Sequence, residues 1–172
     1  MNTKGEEAKK CFECGYNCSQ AVFCTFCKEL GIDKETALKI ASSFGGGMGR
    51  MREVCGTVSA MLMVLGILYG YDADAPNADV EKTAHYARVQ EIAGRFREEM
   101  GSIICREILA NHVKRLEAEM AERDEQISAM LSDSATPTPR SAEYYKKRPC
   151  AEIAASAARL LDAYIQEIEQ MS

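Results

Sequence analysis

Tryptophan is missing from this chain of 172 residues, and aromatic residues make up only 7% of it. Its core must be filled by smaller aliphatic side chains, and the abundance of Leu, Met and Ala leans towards helices. Excess positive charge is missing too. The formal net charge of −5 argues against nucleic acid or an anionic membrane as partner, although a small polyanion-binding patch stays open. Long apolar runs are absent: Ala60 to Tyr69 is the longest, right for a buried helix and about half of what a bilayer needs. The start, Met1-Asn2-Thr3-Lys4-Gly5-Glu6-Glu7, is polar where a secretory leader would be apolar. A cytoplasmic protein is therefore expected, without nucleic acid or membrane as partner.

Several chemical motifs are also lacking. Gly45–Gly49 is neither G-x-G-x-x-G after a strand nor a P-loop, since no Lys-Ser/Thr follows it. No C-x-x-C-H occurs, which removes covalently attached c-type haem. His85 and His112 have no ligand-spaced partner.

Cysteine is plentiful: there are eight. In a reducing compartment structural disulfides are not expected, so metal binding, redox work or plain burial must account for them. Four stand where helices should begin. Cys18 follows Asn17, Cys105 follows Ser102, Cys150 follows Pro149, and Cys55 lies between Gly45-Gly46-Gly47-Met48-Gly49-Arg50 and the apolar run. The N–H groups and dipole of a helix start favour a thiolate, the form that binds metal or attacks a disulfide. Four thiolates satisfy tetrahedral zinc or an iron–sulfur cluster, and nearby glycines let backbone approach closely. The competing reading is four small buried hydrophobes.

The other cysteines form two C-x-x-C pairs. Cys11/Cys14 precedes the turn at Gly15, and Cys24/Cys27 falls mid-helix beside Phe23 and Phe26, where burial is the ordinary outcome. Arg50 and Arg52 could face thiolates or an anionic substrate, with solvated surface arginines as the default. Glu53, beside Cys55, is a candidate proton donor.

Periodicity and capping residues predict helices over about 4–14, 18–30 (capped by Asn17), 34–44 (capped by Asp33), 56–69, 80–100 (capped by Asp79), one after Ser102, and one from Pro149 at its first position. No stretch reads as a strand. The fold expected is all-α: a single-domain bundle of about six to eight helices, residues 1–172, around a central apolar helix at about 56–69. Val113, Leu116, Met120, Ile127 and Met130 make a narrow stripe at seven-residue spacing in a charged helix over 111–131. It suits a surface helix, or a seam with a second copy in a homodimer. Residues 132–141 read as a loop, and 111–141 as a peripheral arm.

Combined, Gly15-Tyr16-Asn17-Cys18-Ser19-Gln20-Ala21-Val22, Phe44-Gly45-Gly46-Gly47-Met48-Gly49, Glu53-Val54-Cys55-Gly56-Thr57-Val58-Ser59-Ala60, Cys105 before Arg106-Glu107-Ile108-Leu109, and Cys150 before a last helix resemble the C_GCAxxG_C_C family. These are bacterial and archaeal proteins described as redox-active. The resemblance covers roughly residues 8–168 and implies that the family's four cysteines fall on Cys18, Cys55, Cys105 and Cys150. The family is similar to a domain of split-Soret cytochromes in which an iron–sulfur centre accompanies haems, so the resemblance implies a cluster as cofactor. The haem role does not carry over. Ala60 stands where the family has glycine, residues 111–135 are longer and more charged than the family implies, and nothing is inherited for the two C-x-x-C pairs.

The leading expectation is electron transfer to or from a partner protein through an iron–sulfur cluster held by Cys18, Cys55, Cys105 and Cys150, the acidic surface suiting a basic partner. Alternatives are a metal-free thiol–disulfide oxidoreductase using Cys18 and Cys55 foremost, and a zinc cage on the same four thiols stabilising an interaction module.

Overall fold

Small polar residues set the helix starts. The computed structural model describes residues 3–119, 134–141, 144–145 and 148–171. In helix α1 (Lys4–Glu13) the Thr3 hydroxyl accepts the Glu6 N–H while the Glu6 carboxylate accepts the Thr3 N–H. Helix α2 (Cys18–Phe23) repeats this reciprocal box, with Asn17 accepting the Gln20 N–H at 2.9 Å and Gln20 accepting the Asn17 N–H at 3.1 Å. Each such cap is worth about 1 kcal/mol. Asp33 caps helix α4 (Lys34–Ser42) as expected. Gly31 and Gly101 end their helices in the left-handed region, at φ 64° and 80°, where a Cβ would be strained.

The expected single helix over 18–30 is broken. After α2 come a 3-10 turn, Cys24–Phe26, and a short helix α3, Cys27–Leu30. The Thr25 hydroxyl donates to the Ala21 carbonyl at 2.8 Å, a bond that competes with the helical ladder and bends it. Helix α5 (Gly56–Tyr69) is followed by α6 (Ala78–Met100), whose cap position is Asn77 rather than Asp79. Helix α7 runs Cys105–Glu119 without a break near 111. Val113 of the seven-residue stripe is buried and Leu116 half-buried on it. Met120, Ile127 and Met130 lie outside the described residues. The last helix, α8, is Cys150–Met171; the Pro149 carbonyl accepts the Ile153 N–H, so Pro149 is its cap and Cys150 its first residue.

The architecture is all-α, as expected, in one domain. Helix α1 lies along α8, α2 packs on α5, and α5 also meets α6 and α8. Phe12, Phe23, Phe26, Met61, Leu65, Ile92, Phe96 and Leu161 form the core between them. Helix α5 is the central helix as far as Leu65: Gly56 to Met61 is buried throughout and Val64 and Leu65 are fully buried, whereas Ile67 near its end is 46% exposed. Among the described residues the sole β-type pairing is one isolated antiparallel bridge between Val54 and Ile104. No helix among them is long and apolar enough to cross a membrane.

Asn17 both caps α2 and donates to the Ser42 carbonyl at 3.1 Å. Asn17→Ala should lower stability by about 1–2 kcal/mol in urea unfolding. A loss below about 0.3 kcal/mol would show that the cap is not holding the start of α2.

Candidate functional site

The loop between α4 and α5 has an unusual backbone. Gly46, Gly47, Met48, Gly49, Arg50 and Arg52 all have positive φ, between 57° and 74°. Glycine adopts this region freely, but each L-residue there costs on the order of 1–2 kcal/mol. Met48, Arg50 and Arg52 hold it because the loop is tied down: the Met48 N–H reaches the Phe44 carbonyl, Arg50 reaches Gly45, and Glu53 reaches Gly47. Strain retained in this way points to a site.

The loop leads directly into the single β-type pairing. The Cys55 N–H donates to the Ile103 carbonyl at 2.8 Å, the Cys105 N–H to the Glu53 carbonyl at 2.7 Å, and the Arg106 N–H to the Arg52 carbonyl at 3.1 Å. These bonds bring the cap of α5 beside the first residue of α7, so Cys55 and Cys105 become neighbours. Nothing in the sequence marked this pairing, because three hydrogen bonds leave no alternating pattern.

Two glycines set how closely the pieces approach. A Cβ on Gly47 would lie 2.7 Å from the Cys105 Cβ, and one on Gly56 would lie 2.7 Å from the Cys18 sulfur and 2.6 Å from the Phe44 carbonyl oxygen. Bare glycine therefore lets Cys18, at the start of α2, sit against the start of α5.

Cys18, Cys55, Cys105 and Cys150 all line one cavity of about 280 Å³. All four candidate residues are thus brought together, each at a helix start as the sequence predicted: Cys18, Cys105 and Cys150 are first residues, and Cys55 is a cap. Cys18, Cys55 and Cys105 are buried and Cys150 is partly exposed. Among the described residues no three Cys, His, Asp or Glu side chains stand in an arrangement that would hold a metal ion.

Four arginines, Arg50, Arg52, Arg140 and Arg148, share the lining. Arg52 and Arg148 are buried, at 3% and 8% exposure; for Arg52 this departs from the default of a solvated arginine, whereas Arg50 is half-buried. The Arg148 guanidinium lies 4.7 Å from the Tyr144 ring centre and donates to Thr138, while Arg140 donates to the Phe12 carbonyl. Sequence reasoning missed Arg140 and Arg148, which only the fold brings to the thiols. The loop carrying Ala135, Pro137, Thr138 and Arg140 lines the cavity as well, so this part of the expected peripheral arm lies against the site.

Helix starts favour thiolates in principle; here burial outweighs them. Burial pushes the Cys55, Cys105 and Cys150 thiols above their ordinary range, Cys150 to about 12, and a charge on Cys18 would raise all three further. Acting the other way, Arg52 lowers Cys105 by its charge and a hydrogen bond to the thiol, and Arg148 lowers Cys105 and Cys150. The Cys55 sulfur and Thr57 hydroxyl share a hydrogen bond of 3.2 Å. Glu53, the candidate proton donor, instead pairs with Arg106 at the surface.

The family described as "Putative redox-active protein (C_GCAxxG_C_C)" matches residues 16–164. The chain belongs to this family. Searches of curated proteins and of solved structures find no match. The C_GCAxxG_C_C match takes in all four cavity cysteines. It begins beyond Cys11 and Cys14, and neither they nor Cys24 and Cys27 line the cavity. His85 lies away from it too, beside Tyr71 and Tyr86.

Two outcomes test this geometry. A thiol whose pKa is raised by folding keeps its proton while the unfolded chain releases it. Stability linked to it is full below the ordinary thiol value, about 8.5–9, and is lost as pH rises towards the folded value. Metal-free protein should therefore become easier to unfold in urea between pH 8 and 10, by at most about 1.4 kcal/mol per pH unit per thiol, with a shallower slope in Cys150→Ser. Stability that rises over that range would contradict it. Separately, Gly56→Ala should cost about 1–3 kcal/mol, because neither the Phe44 carbonyl nor the Cys18 sulfur can give way freely; an unchanged urea midpoint would mean that the contact is loose.

Proposed function

We propose that Cys18, Cys55, Cys105 and Cys150 hold an iron–sulfur cluster, and that the protein passes electrons through it to or from a partner protein. The observation that carries this reading is the convergence of four thiols, from four separate helix starts, on one cavity. Its volume, about 280 Å³, favours a multi-atom group: a single zinc ion, with all four sulfurs about 2.3 Å from one centre, would leave most of it open. A bound cluster supplies one-electron transfer at a potential set by its type, charge, hydrogen bonds to sulfur and solvent exposure.

The surrounding residues have separate parts to play. Arg52 and Arg148 place positive charge against the thiols and offset the negative charge of deprotonated sulfur. Arg52 at Cys105 and Thr57 at Cys55 are hydrogen-bond partners that orient the sulfurs and tune their basicity. The apolar lining, Phe12, Ile108, Leu109 and Ile153, excludes water. Cys150, partly exposed, marks the side nearest solvent. The exposed Arg140 and half-buried Arg50 make the mouth cationic although the whole chain is acidic. The electron-transfer partner would therefore present an acidic patch here, the opposite of what net charge alone suggests. A cytoplasmic location belongs to the same reading.

Protein purified without oxygen should show broad visible absorption that bleaches with dithionite, with near-stoichiometric iron and sulfide. Cys55→Ser should abolish both. Colourless protein with stoichiometric zinc would replace the cluster with a structural cage. Colourless, metal-free protein that also fails anaerobic reconstitution would leave thiol–disulfide chemistry at Cys18 and Cys55.

A further inference from the structure

The break in the 18–30 segment creates a second thiol site. Cys24 opens the 3-10 turn, and the backbone N–H of Cys27 donates to the Cys24 carbonyl, closing it. Residues three apart in a 3-10 turn eclipse each other, about 6 Å apart along the axis. That lies inside the roughly 4.4–6.8 Å between the Cα atoms of bridged cysteines. The winding therefore sets the two side chains on one side of the turn, and each thiol acts on the ionisation of the other. In an uninterrupted α-helix they would be offset around the axis.

This pair is not alone. Burial raises the Cys11, Cys24 and Cys27 thiols; a charge on Cys11 would raise Cys24 further, a charge on exposed Cys14 would raise Cys11, and the Lys34 charge at the start of α4 lowers all three. Cys24 and Cys27 are both half-buried, so neither residue is sealed from solvent. Neither belongs to the four-thiol cavity.

We infer that Cys24 and Cys27 form a second, independent redox dithiol that exchanges with low-molecular-weight disulfides. Cys27 attacks first: burial raises its thiol, while neighbouring Cys24 and the Lys34 charge act against that rise and favour its thiolate. Its sulfur bonds to one sulfur of the small disulfide, whose S–S bond breaks and releases one thiolate, which takes up the proton Cys27 has lost. Cys24, whose own thiol burial holds at about 12, then gives up its proton and attacks the Cys27 sulfur. The mixed disulfide breaks and releases the second small thiol. Two protein thiols are oxidised by two electrons to one disulfide, and one small disulfide is reduced to two thiols.

The test uses full-length protein, reduced and desalted without oxygen, then equilibrated with oxidised glutathione. Free thiols are alkylated and the chain is mapped by mass spectrometry after cleavage at Phe23 and Phe26. The expected product is a Cys24–Cys27 bridge. Cys24→Ser should lack the resolving thiol, stop at a glutathione adduct on Cys27, and release one equivalent of glutathione fewer per chain. Iron, sulfide and visible absorption at the four-thiol cavity should be unchanged in that variant, which keeps this outcome separate from the cluster proposal. Alkylated Cys24 and Cys27 at a glutathione poise that already modifies Cys14, or a bridge from Cys11 in place of the Cys24–Cys27 one, would overturn the inference. If Cys24→Ser does not fold, the wild-type map decides alone.

Discussion

The site depends on a short stitch of backbone. Three hydrogen bonds join Arg52, Glu53 and Cys55 to Ile103, Cys105 and Arg106, half a hundred residues further along the chain. The Arg52 carbonyl also accepts from the Arg106 side chain, as does Met51. Without the stitch, the starts of α5 and α7 would have no reason to meet. The left-handed glycine run makes it achievable, because a loop of ordinary residues could not turn tightly enough to bring Gly47 against the Cys105 Cβ. Close approach and strain are therefore two faces of one constraint.

Helix α2 separates two thiol environments. Cys18 is its first residue, and Cys24 begins the turn just past its end, about 9 Å further along the axis at the usual rise. Cys18 shares one cavity with two buried arginines and three other cysteines. Cys24 and Cys27 lie one 3-10 turn apart, half-buried, within the field of the Lys34 charge. The same residue type is thus placed in two chemical settings by a single change in helix winding, which the Thr25 hydroxyl favours by bonding to Ala21.

How far the sequence disclosed this depends on how local each determinant is. Asn17, Asp33, Gly31 and Gly101 act within a few residues of themselves, and each behaves as its chemistry predicts. The four helix-start cysteines were legible for the same reason. The bridge at Val54 and Ile104 was not, since two residues carry no periodicity. Burial of Arg52 and Arg148 was not either: composition places arginine at the surface, and only tertiary structure turns these inward. The winding change at Cys24–Phe26 was hidden because its residues, Cys24, Thr25 and Phe26, suit a buried helix equally well.

Charge balance gives the last constraint. Among the described residues the cavity lining carries four arginines and no carboxylate. Moving a cation out of water costs several kcal/mol unless something opposite meets it. Tyr144 and Thr138 meet Arg148 in part; the thiols are the groups in the cavity that could become anions, yet burial opposes their ionisation one by one. On the proposed reading, a group that binds several sulfurs at once would remove the conflict: coordination deprotonates a thiol outright, and the resulting anions would sit against Arg52 and Arg148. The arginines and the cysteines then stabilise each other. On the same proposed reading, the two buried arginines serve as counter-charges for a cavity whose occupied state is negative.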